Sequence, residues 1–204
     1  MSVNYFSPRN RIFFSRLVGV LFFCAFTVSI SGWREIVPML SGVLSWVGWA
    51  LITLGVIGRL WCSSHIGGKK NATLVAAGPY SVCRNPLYFF SFLGGMGGMF
   101  LTHTFLFPCL FATLFISYYA KVIASEEDVL LAIHSADYRN YYAKVPRFWP
   151  KISLLSEPIA KTVSTTHFFK SFTEMIWFFV AGGLIMWLEN LHLSGHLPTL
   201  FSIY

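Results

Sequence analysis

The chain has 204 residues, of which 55% are hydrophobic, 18% aromatic and only 11% charged. This composition is too apolar for a soluble domain and is typical of a polytopic membrane protein. The net charge of +7 does not indicate a nucleic-acid-binding protein, because the basic residues lie beside hydrophobic segments, where positive-inside topology and anionic lipids account for them. The scattered cysteines form no CxxC pair, and we expect no metal site.

Five hydrophobic segments are predicted to cross the membrane as helices. The first, residues 12–30, has nearly the length of about 20 residues that a crossing needs. A cleaved signal peptide is the alternative, but the run is longer than a usual signal-peptide core and no small-residue cleavage site follows it. The other segments are residues 37–60, 87–101, 105–122 and 172–193. The predicted fold class is therefore an all-α, polytopic integral membrane protein with about five transmembrane helices.

The order of these segments predicts four parts of the chain. Residues 1–53 carry the first two helices, the second of which runs on to about residue 60. Residues 54–150 form the core, 151–171 are a polar cytoplasmic linker, and 172–204 are a C-terminal helix and tail.

The distribution of Lys and Arg predicts the orientation in the membrane. With five crossings, all but one of the 15 basic residues fall on one side, and only Arg34 falls on the other. The positive-inside rule therefore places the N-terminus and both polar ends of the 87–122 hairpin in the cytoplasm. We expect the protein to lie in the bacterial inner membrane, and the alternative location is the endoplasmic reticulum.

Turn signals and glycines mark the beginning of the hairpin. Gly78-Pro79-Tyr80 is one turn signal and Arg84-Asn85-Pro86 is another, and Pro86 suits the first turn of a helix because its missing N–H is not needed there. The helix that follows is rich in glycine, which lets another backbone or a ligand approach closely. Its glycines are Gly94, Gly95, Gly97 and Gly98.

Two adjacent acids, Glu126 and Glu127, stand where the fourth crossing ends. Ser125 and Asp128 form a capping-box pattern, which predicts that a new helix starts here at the membrane surface. Because residues 87–101 and 105–122 form a hairpin, we expect these acids to lie at the same membrane face as the turn signals. This face is the predicted place of a functional site.

The order of these motifs resembles a known family. GPY, Arg-Asn-Pro-Leu-Tyr, a membrane hairpin, Glu-Glu, Leu130, Tyr138, Tyr141 and Val-Pro-Arg-Phe resemble the isoprenylcysteine carboxyl methyltransferase family and, more loosely, the phospholipid N-methyltransferases. The resemblance covers residues 54–150. The chain differs from the usual pattern in three places: Asn85 stands where many members have His, and His134 and Ser135 stand where the family usually has Phe and Gly.

The resemblance implies a membrane enzyme that takes a methyl group from S-adenosylmethionine. Since no GxGxxG motif occurs in a strand–helix setting, we expect helix ends and loops, not a Rossmann domain, to hold this cofactor. Arg147 and Glu127 are the implied catalytic residues. The implied cofactor-binding residues are Tyr80, Arg84, Asn85, Pro86, Tyr88, Gly95, Gly97, Glu126, Glu127, Tyr138, Tyr141 and Arg147.

Several of these residues also have a purely structural interpretation. The acids could cap a helix end, the glycines could serve helix packing alone, the tyrosines could form an interfacial belt, and Arg84 and Arg147 could bind lipid headgroups. The pattern favours Glu126 or Glu127 as the cofactor anchor without choosing between them.

The predicted function is methyl transfer to an isoprenylcysteine-like carboxylate or another lipid-soluble acceptor. A carboxylate needs no catalytic base, whereas an amine would need one, for which Glu127 and His134 are the nearby candidates. The alternatives are an NADPH-dependent sterol or steroid reductase and a non-catalytic membrane protein that keeps the fold. The expected partners are the lipid bilayer and the acceptor, and the sequence does not indicate an oligomeric state.

Overall fold

The computed structural model of the chain describes residues 8–66, 73–157 and 165–203. Most of these residues are helical, as predicted. The helices are α1 (Pro8–Thr27), α2 (Trp33–Ile36), α3 (Pro38–Ile66), α4 (Pro79–Val82), α5 (Pro86–Phe100), α6 (Leu106–Lys144) and α7 (Thr165–Leu193). A 3-10 helix at Ile152–Leu154 and two short strands, β1 (Ser29–Ser31) and β2 (Phe201–Ile203), complete the described elements.

The helical membrane fold is confirmed. Within the described chain, three helices are long and apolar enough to cross a bilayer, namely Pro38–Ile66, Leu106–Lys144 and Phe168–Leu193, and Phe13–Thr27 is a shorter apolar helix. Helix α5 has only 15 residues, which fits the short third segment of the sequence. The protein is therefore an integral membrane protein, and the number of five crossings stays a prediction.

Helices α3 and α5 pack with their backbones in close contact. A Cβ placed on Gly55 would lie 2.7 Å from the backbone nitrogen of Gly94, and one on Gly97 would lie 2.5 Å from the carbonyl oxygen of Gly48. Only glycine permits such an approach. A buried apolar cluster that includes Ile52 and Met175 lies beside this contact and holds α7 against the pair.

Helix α6 corrects the expectation of a new helix at Ser125. The helix runs without interruption through that residue, and its 39 residues correspond to about 58 Å, roughly twice the thickness of a bilayer core. The direction changes later, at Ser135, whose φ of 38° and ψ of −103° are not helical. The capping-box interpretation was wrong because its local pattern does not outweigh the apolar contacts that continue α6 on both sides of Ser125.

The polar segment after the core also differs from the prediction. Helix α7 begins at Thr165, earlier than residue 172. Residues 151–157 are tied to the core, since the Ser156 N–H donates to Ser81 Oγ at 2.9 Å and Ser156 accepts from the Gly78 N–H at 2.7 Å. Residues 158–164 of the predicted linker lie outside the described residues.

The end of the bundle opposite the hairpin's polar termini carries a polar cluster that the sequence did not reveal. His103 Nδ1 lies 2.6 Å from a Glu189 carboxylate oxygen, and Arg34 Nη1 lies 2.7 Å from the same oxygen. His103 Nε2 lies 2.7 Å from Ser45 Oγ. We name these four residues the Glu189 cluster. The cluster connects α2, the first part of α3, the α5–α6 turn and the end of α7.

The two short strands lie at this same end. β1 pairs in parallel with β2, with Ser29 opposite Phe201 and Ser31 opposite Ile203. Ser31 Oγ also donates to the His103 carbonyl at 2.6 Å. The sequence analysis placed Ser29 and Ile30 in the first predicted crossing, but α1 ends at Thr27. It placed residues 201–203 in the C-terminal tail. Both strands were missed because three-residue strands show no alternating pattern and their pairing depends on residues about 170 positions away.

We expect Glu189→Ala to destabilise the fold strongly. Its removal leaves the buried His103 ring and the Arg34 guanidinium without their shared acceptor, which costs about 3 kcal/mol. The measurement is the free energy of unfolding in detergent. Glu174→Ala, at an exposed position on the same helix, is the control and should be nearly neutral. Equal effects of the two substitutions would contradict the role assigned to the cluster.

Candidate functional site

The two polar ends of the hairpin meet, as its geometry predicts. The Arg84 N–H donates to the Pro146 carbonyl at 2.9 Å, and the Lys151 N–H donates to the Val82 carbonyl at 2.9 Å. The Cys83 thiol lies 3.0 Å from the Phe148 carbonyl. Pro86 occupies the first turn of α5, as expected. The segment before α5 therefore lies directly against the segment after α6.

Glu127 is the centre of this junction. One carboxylate oxygen accepts from Arg84 Nε at 2.9 Å and from Asn85 Nδ2 at 3.0 Å, and the other lies 3.1 Å from Arg147 Nε. The side chains of Arg84 and Glu127 are 7% and 8% exposed, whereas that of Arg147 is 44% exposed. We name these four residues the Glu127 cluster. Its two arginines outnumber its single acid, so the cluster carries one net positive charge.

Arg84 has a buried, fixed position. Its Nη1 donates to the carbonyls of Tyr142 and Val145, each at 2.8 Å, and its guanidinium lies 3.8 Å from the centre of the Tyr142 ring. These contacts hold the guanidinium inside the junction. Asn85 contributes in the same way, since its amide donates to the Arg147 carbonyl at 3.0 Å.

A cavity of about 350 Å³ opens beside the Glu127 cluster. Its size lies within the range of small-molecule sites, roughly 300–1,000 Å³. Two acids, two arginines and two tyrosines contribute to the wall, so charged and aromatic groups face the same space. The lining residues are Ala124, Glu127, Asp128, Leu131, Tyr138, Arg139, Tyr142 and Arg147.

Asp128, Arg139 and Tyr142 line this cavity but were missed by the sequence analysis. The sequence does indicate a shared helix face. The i, i+3, i+4, i+7 spacing is present in Ala124, Glu127, Asp128 and Leu131. It was overlooked because a helix start was expected at Ser125, which would have divided this face. The break at Ser135 then turns the rest of α6 so that Tyr142 faces Glu127.

The other predicted tyrosines have different positions. Tyr138 lines the cavity. The Tyr141 hydroxyl instead donates to the Tyr80 carbonyl at 2.7 Å and so holds α4 against α6. The Tyr88 hydroxyl donates to a Glu126 carboxylate oxygen at 3.0 Å. Glu126 is therefore engaged beside α5, and of the two adjacent acids it is Glu127 that lines the cavity.

Gly95 and Gly97 are not brought to the cavity. A Cβ on Gly95 would lie 2.3 Å from the Phe111 ring, and Gly97 packs on α3. The structure thus places both glycines in helix contacts, and their role toward a cofactor stays a prediction.

Gly78 allows the chain to enter α4 against the end of α3. Its φ of +61° is unfavourable for other residues, and a Cβ there would lie 2.2 Å from His65 Nε2. That same nitrogen lies 3.0 Å from a Glu157 carboxylate oxygen, whose partner oxygen accepts from Trp61 Nε1 at 3.1 Å. These contacts fix the GPY turn.

In the part of the chain that is described, no group of three or more His, Cys, Asp or Glu is placed to hold a metal ion.

Burial raises the pKa of the Cys83 thiol from its ordinary value of 9.0 to about 11. Because the folded-state pKa is the higher one, the thiol's contribution to stability is complete below about pH 9 and is lost as the pH rises through 11. Between these pH values, we expect the free energy of unfolding of the wild type to fall by at most about 3 kcal/mol relative to that of Cys83→Ala. The measurement is the free energy of unfolding of both proteins at a series of pH values. Equal changes with pH in the two proteins would contradict this prediction.

The apolar helices define an integral membrane protein, and a charged, aromatic-lined cavity lies at one end of the helical bundle. A family model described as Phospholipid methyltransferase matches residues 39–137. The chain belongs to this family, which confirms the resemblance found in its motifs.

Two curated relatives extend the similarity over nearly the whole chain. The nickel-cobalt-cadmium resistance protein NccN of Alcaligenes xylosoxydans xylosoxydans is 32% identical over 200 residues, which are 97% of this chain and 91% of NccN. The cobalt-zinc-cadmium resistance protein CzcN of Cupriavidus metallidurans is 30% identical over 202 residues, which are 99% of this chain and 92% of CzcN. No solved structure matches the chain.

Proposed function

We propose that the protein is a membrane-embedded methyltransferase that uses S-adenosylmethionine and acts on an isoprenylcysteine-like carboxylate or another lipid-soluble acceptor. The observation that carries the proposal is the Glu127 cluster, which faces a cavity of about 350 Å³ at the end of the helical hairpin. Membership of the phospholipid methyltransferase family supports it.

The chemistry of the cavity fits this cofactor. S-adenosylmethionine has a carboxylate, an ammonium, ribose hydroxyls, an adenine ring and a sulfonium. Arg139 and Arg147 suit the carboxylate, Asp128 suits the ammonium or the hydroxyls, and the rings of Tyr138 and Tyr142 suit the adenine and the sulfonium.

Glu127 contributes chiefly by positioning Arg147. A carboxylate offers about four lone-pair sites, and three donors occupy Glu127 already. One site remains for a hydroxyl of the cofactor, while the ion pair fixes the direction of the half-exposed Arg147 side chain. Glu127 is correspondingly ill placed to accept a proton as a base.

The segment after Arg147 is anchored to α5 by aromatic rings. The Phe148 ring lies 5.7 Å from that of Phe89 and 6.0 Å from that of Phe92. These contacts hold the carbonyl of Arg147 against Asn85 and cover the junction with apolar surface. Exclusion of water and fixed geometry are what methyl transfer requires of a protein.

The reaction itself needs little more from the side chains. Held by Arg139, Arg147 and the two tyrosines, S-adenosylmethionine would supply an electrophilic methyl group to the acceptor atom, with S-adenosylhomocysteine as the leaving group. Since donors already occupy three of the roughly four lone-pair sites of Glu127, the site favours an acceptor that is already a nucleophile at neutral pH, such as a carboxylate.

The names of the relatives support a second, physiological proposal. NccN and CzcN are named as resistance proteins for nickel, cobalt, cadmium or zinc. We propose that this chain also contributes to metal resistance, by methylating a component of the membrane. A strain lacking the gene should regain growth on cobalt with the wild type but not with Glu127→Gln at equal membrane abundance. Equal rescue by the wild type and by Glu127→Gln would show that metal resistance does not depend on the Glu127 cluster.

The direct test of the enzymatic proposal is methyl transfer in membranes. Membranes that contain the wild type should move label from methyl-labelled S-adenosylmethionine into an organic-soluble product, and membranes with Glu127→Gln should not. The absence of labelled product with the wild type, combined with oxidation of NADPH by a sterol, would favour the reductase alternative.

A further inference from the structure

Three large apolar side chains are exposed at three-residue intervals in the segment that follows the Glu127 cluster. Trp149, Ile152 and Leu155 are 67%, 78% and 48% exposed. The 3-10 helix that begins at Ile152 ends with the Leu155 N–H bonded to the Ile152 carbonyl, so these two side chains lie on the same side. An exposed apolar surface of this kind is unfavourable in water. We name residues 148–157 the strap.

The strap is fixed to the helical bundle at both of its ends. At its start, the rings of Phe148 and Trp149 lie 5.7 Å and 6.0 Å from the ring of Phe89 in the first turn of α5. At its end, a Glu157 carboxylate oxygen accepts from Trp61 Nε1 at 3.1 Å. The strap therefore runs over the bundle from the beginning of α5 to the last part of α3.

These anchor points lie at a boundary of the membrane. Helix α3 is long and apolar enough to cross a bilayer, and its first charged residue is Arg59. Trp61 follows closely, and tryptophan prefers the level of the lipid headgroups. A Cβ on Gly58 would meet the ring of Phe90, the neighbour of Phe89 in α5. Both ends of the strap are therefore at the level where α3 leaves the hydrocarbon region.

We propose that the strap lies in the lipid interface, with Trp149, Ile152 and Leu155 inserted between the headgroups and the adjoining acyl chains. The bilayer surface is then the partner that covers this apolar face. The exposed side chain of Lys151 fits the same partner, because an ammonium at this level can bind lipid phosphate groups. The contacts and the depth that support this inference involve neither a cofactor nor a reaction.

The strap also bears on the depth of the Glu127 cluster. Arg147 directly precedes the strap, and Asn85 lies four residues before Phe89, a distance of about 6 Å along a helix. Since Asn85 Nδ2 donates to Glu127 at 3.0 Å, the cluster lies about one helical turn outside the boundary, among the headgroups. A lipid-soluble acceptor can reach this depth without leaving the membrane, and this last step alone rests on the proposed function.

Ile152→Asp and Ser153→Asp distinguish a strap that faces lipid from one that faces water. Both positions are exposed, and both substitutions add one negative charge, but neighbouring side chains of a 3-10 helix point in different directions. In water, Ile152→Asp would remove an exposed apolar group and keep the strap in place. In lipid, the new charge is unfavourable and should release the strap.

The measurement is hydrogen exchange of the strap amides in purified full-length protein in phosphatidylcholine nanodiscs. We expect several-fold faster exchange in Ile152→Asp and the rate of the wild type in Ser153→Asp. Unchanged or slower exchange in Ile152→Asp would overturn the proposal. Equal acceleration in both variants would overturn it as well, because the effect would then not depend on the apolar face.

A photo-crosslinker identifies what covers the apolar face. Ile152→p-benzoylphenylalanine, irradiated in the same nanodiscs, should form an adduct with phosphatidylcholine that mass spectrometry detects. The same crosslinker at Asp137, an exposed acidic position of α6, is the control and should give several-fold less adduct. A crosslinked pair of chains would assign the face to a second copy of the protein, and the absence of any adduct would assign it to water. Either result would overturn the proposal.

Both experiments are performed without S-adenosylmethionine. A protein that shows the lipid adduct but does not bind S-adenosylmethionine would contradict only the proposed function. A protein that binds S-adenosylmethionine but gives no lipid adduct would contradict only the interfacial strap.

Discussion

Glu127→Gln should weaken the binding of S-adenosylmethionine at least about thirtyfold. The substitution keeps the shape of the side chain but removes the charge that Arg84 and Arg147 share. Breaking a buried charge pair at a binding site costs about 2–5 kcal/mol, because the remaining charge is left without its partner. Since Arg147 then loses its fixed direction into the cavity, binding and methyl transfer should fall together. Calorimetric titration of the purified variant measures the loss.

Glu126→Gln is the matched control for this experiment. Glu126 is the neighbouring acid, hydrogen-bonded to Tyr88, and it is absent from the lining of the cavity. We expect its substitution to change the affinity by less than about tenfold. Unchanged affinity in Glu127→Gln, or a larger loss in Glu126→Gln, would mean that the wrong acid has been assigned. The melting temperatures of both variants show whether a loss reflects unfolding.

Gly97→Ala should destabilise the protein by at least about 2 kcal/mol, whereas Gly98→Ala should be neutral or slightly stabilising. A Cβ on Gly97 would lie 2.5 Å from the Gly48 carbonyl oxygen, a backbone atom that moves only if α3 and α5 separate. A Cβ on the adjacent Gly98 would meet nothing within 4 Å. The free energy of unfolding in detergent measures both effects.

This pair of variants also separates the two interpretations of the glycine-rich helix. If Gly97 serves helix packing, Gly97→Ala lowers stability with or without S-adenosylmethionine. If Gly97 instead admits the cofactor, the variant keeps the stability of the wild type and loses affinity. The first outcome is the one that the contact with Gly48 predicts.

The sequence predicted those features that depend on hydropathy and on order along the chain. The hairpin of α5 and α6, the position of Pro86 at a helix start and the meeting of Arg84 with Glu127 follow from alternating apolar and polar segments. A membrane constrains helices to cross it, so residues at corresponding ends of neighbouring helices must lie close together.

The sequence did not predict features that depend on a choice between local and long-range contacts. The capping pattern at Ser125 favoured a helix start, but α6 continues to Ser135, and this error concealed the positions of Asp128 and Tyr142. The Glu189 cluster was hidden for another reason. Its members come from four separate segments, and nothing in the neighbourhood of Glu189 along the chain indicates that His103 is its partner.

Binding of S-adenosylmethionine to the purified wild-type protein in nanodiscs tests the central claim most directly. Isothermal titration calorimetry should show a saturable, one-site isotherm, and a competing titration with S-adenosylhomocysteine should displace the cofactor. No binding in the presence of native lipids would contradict the account, because the cavity beside Glu127 would then serve some other ligand.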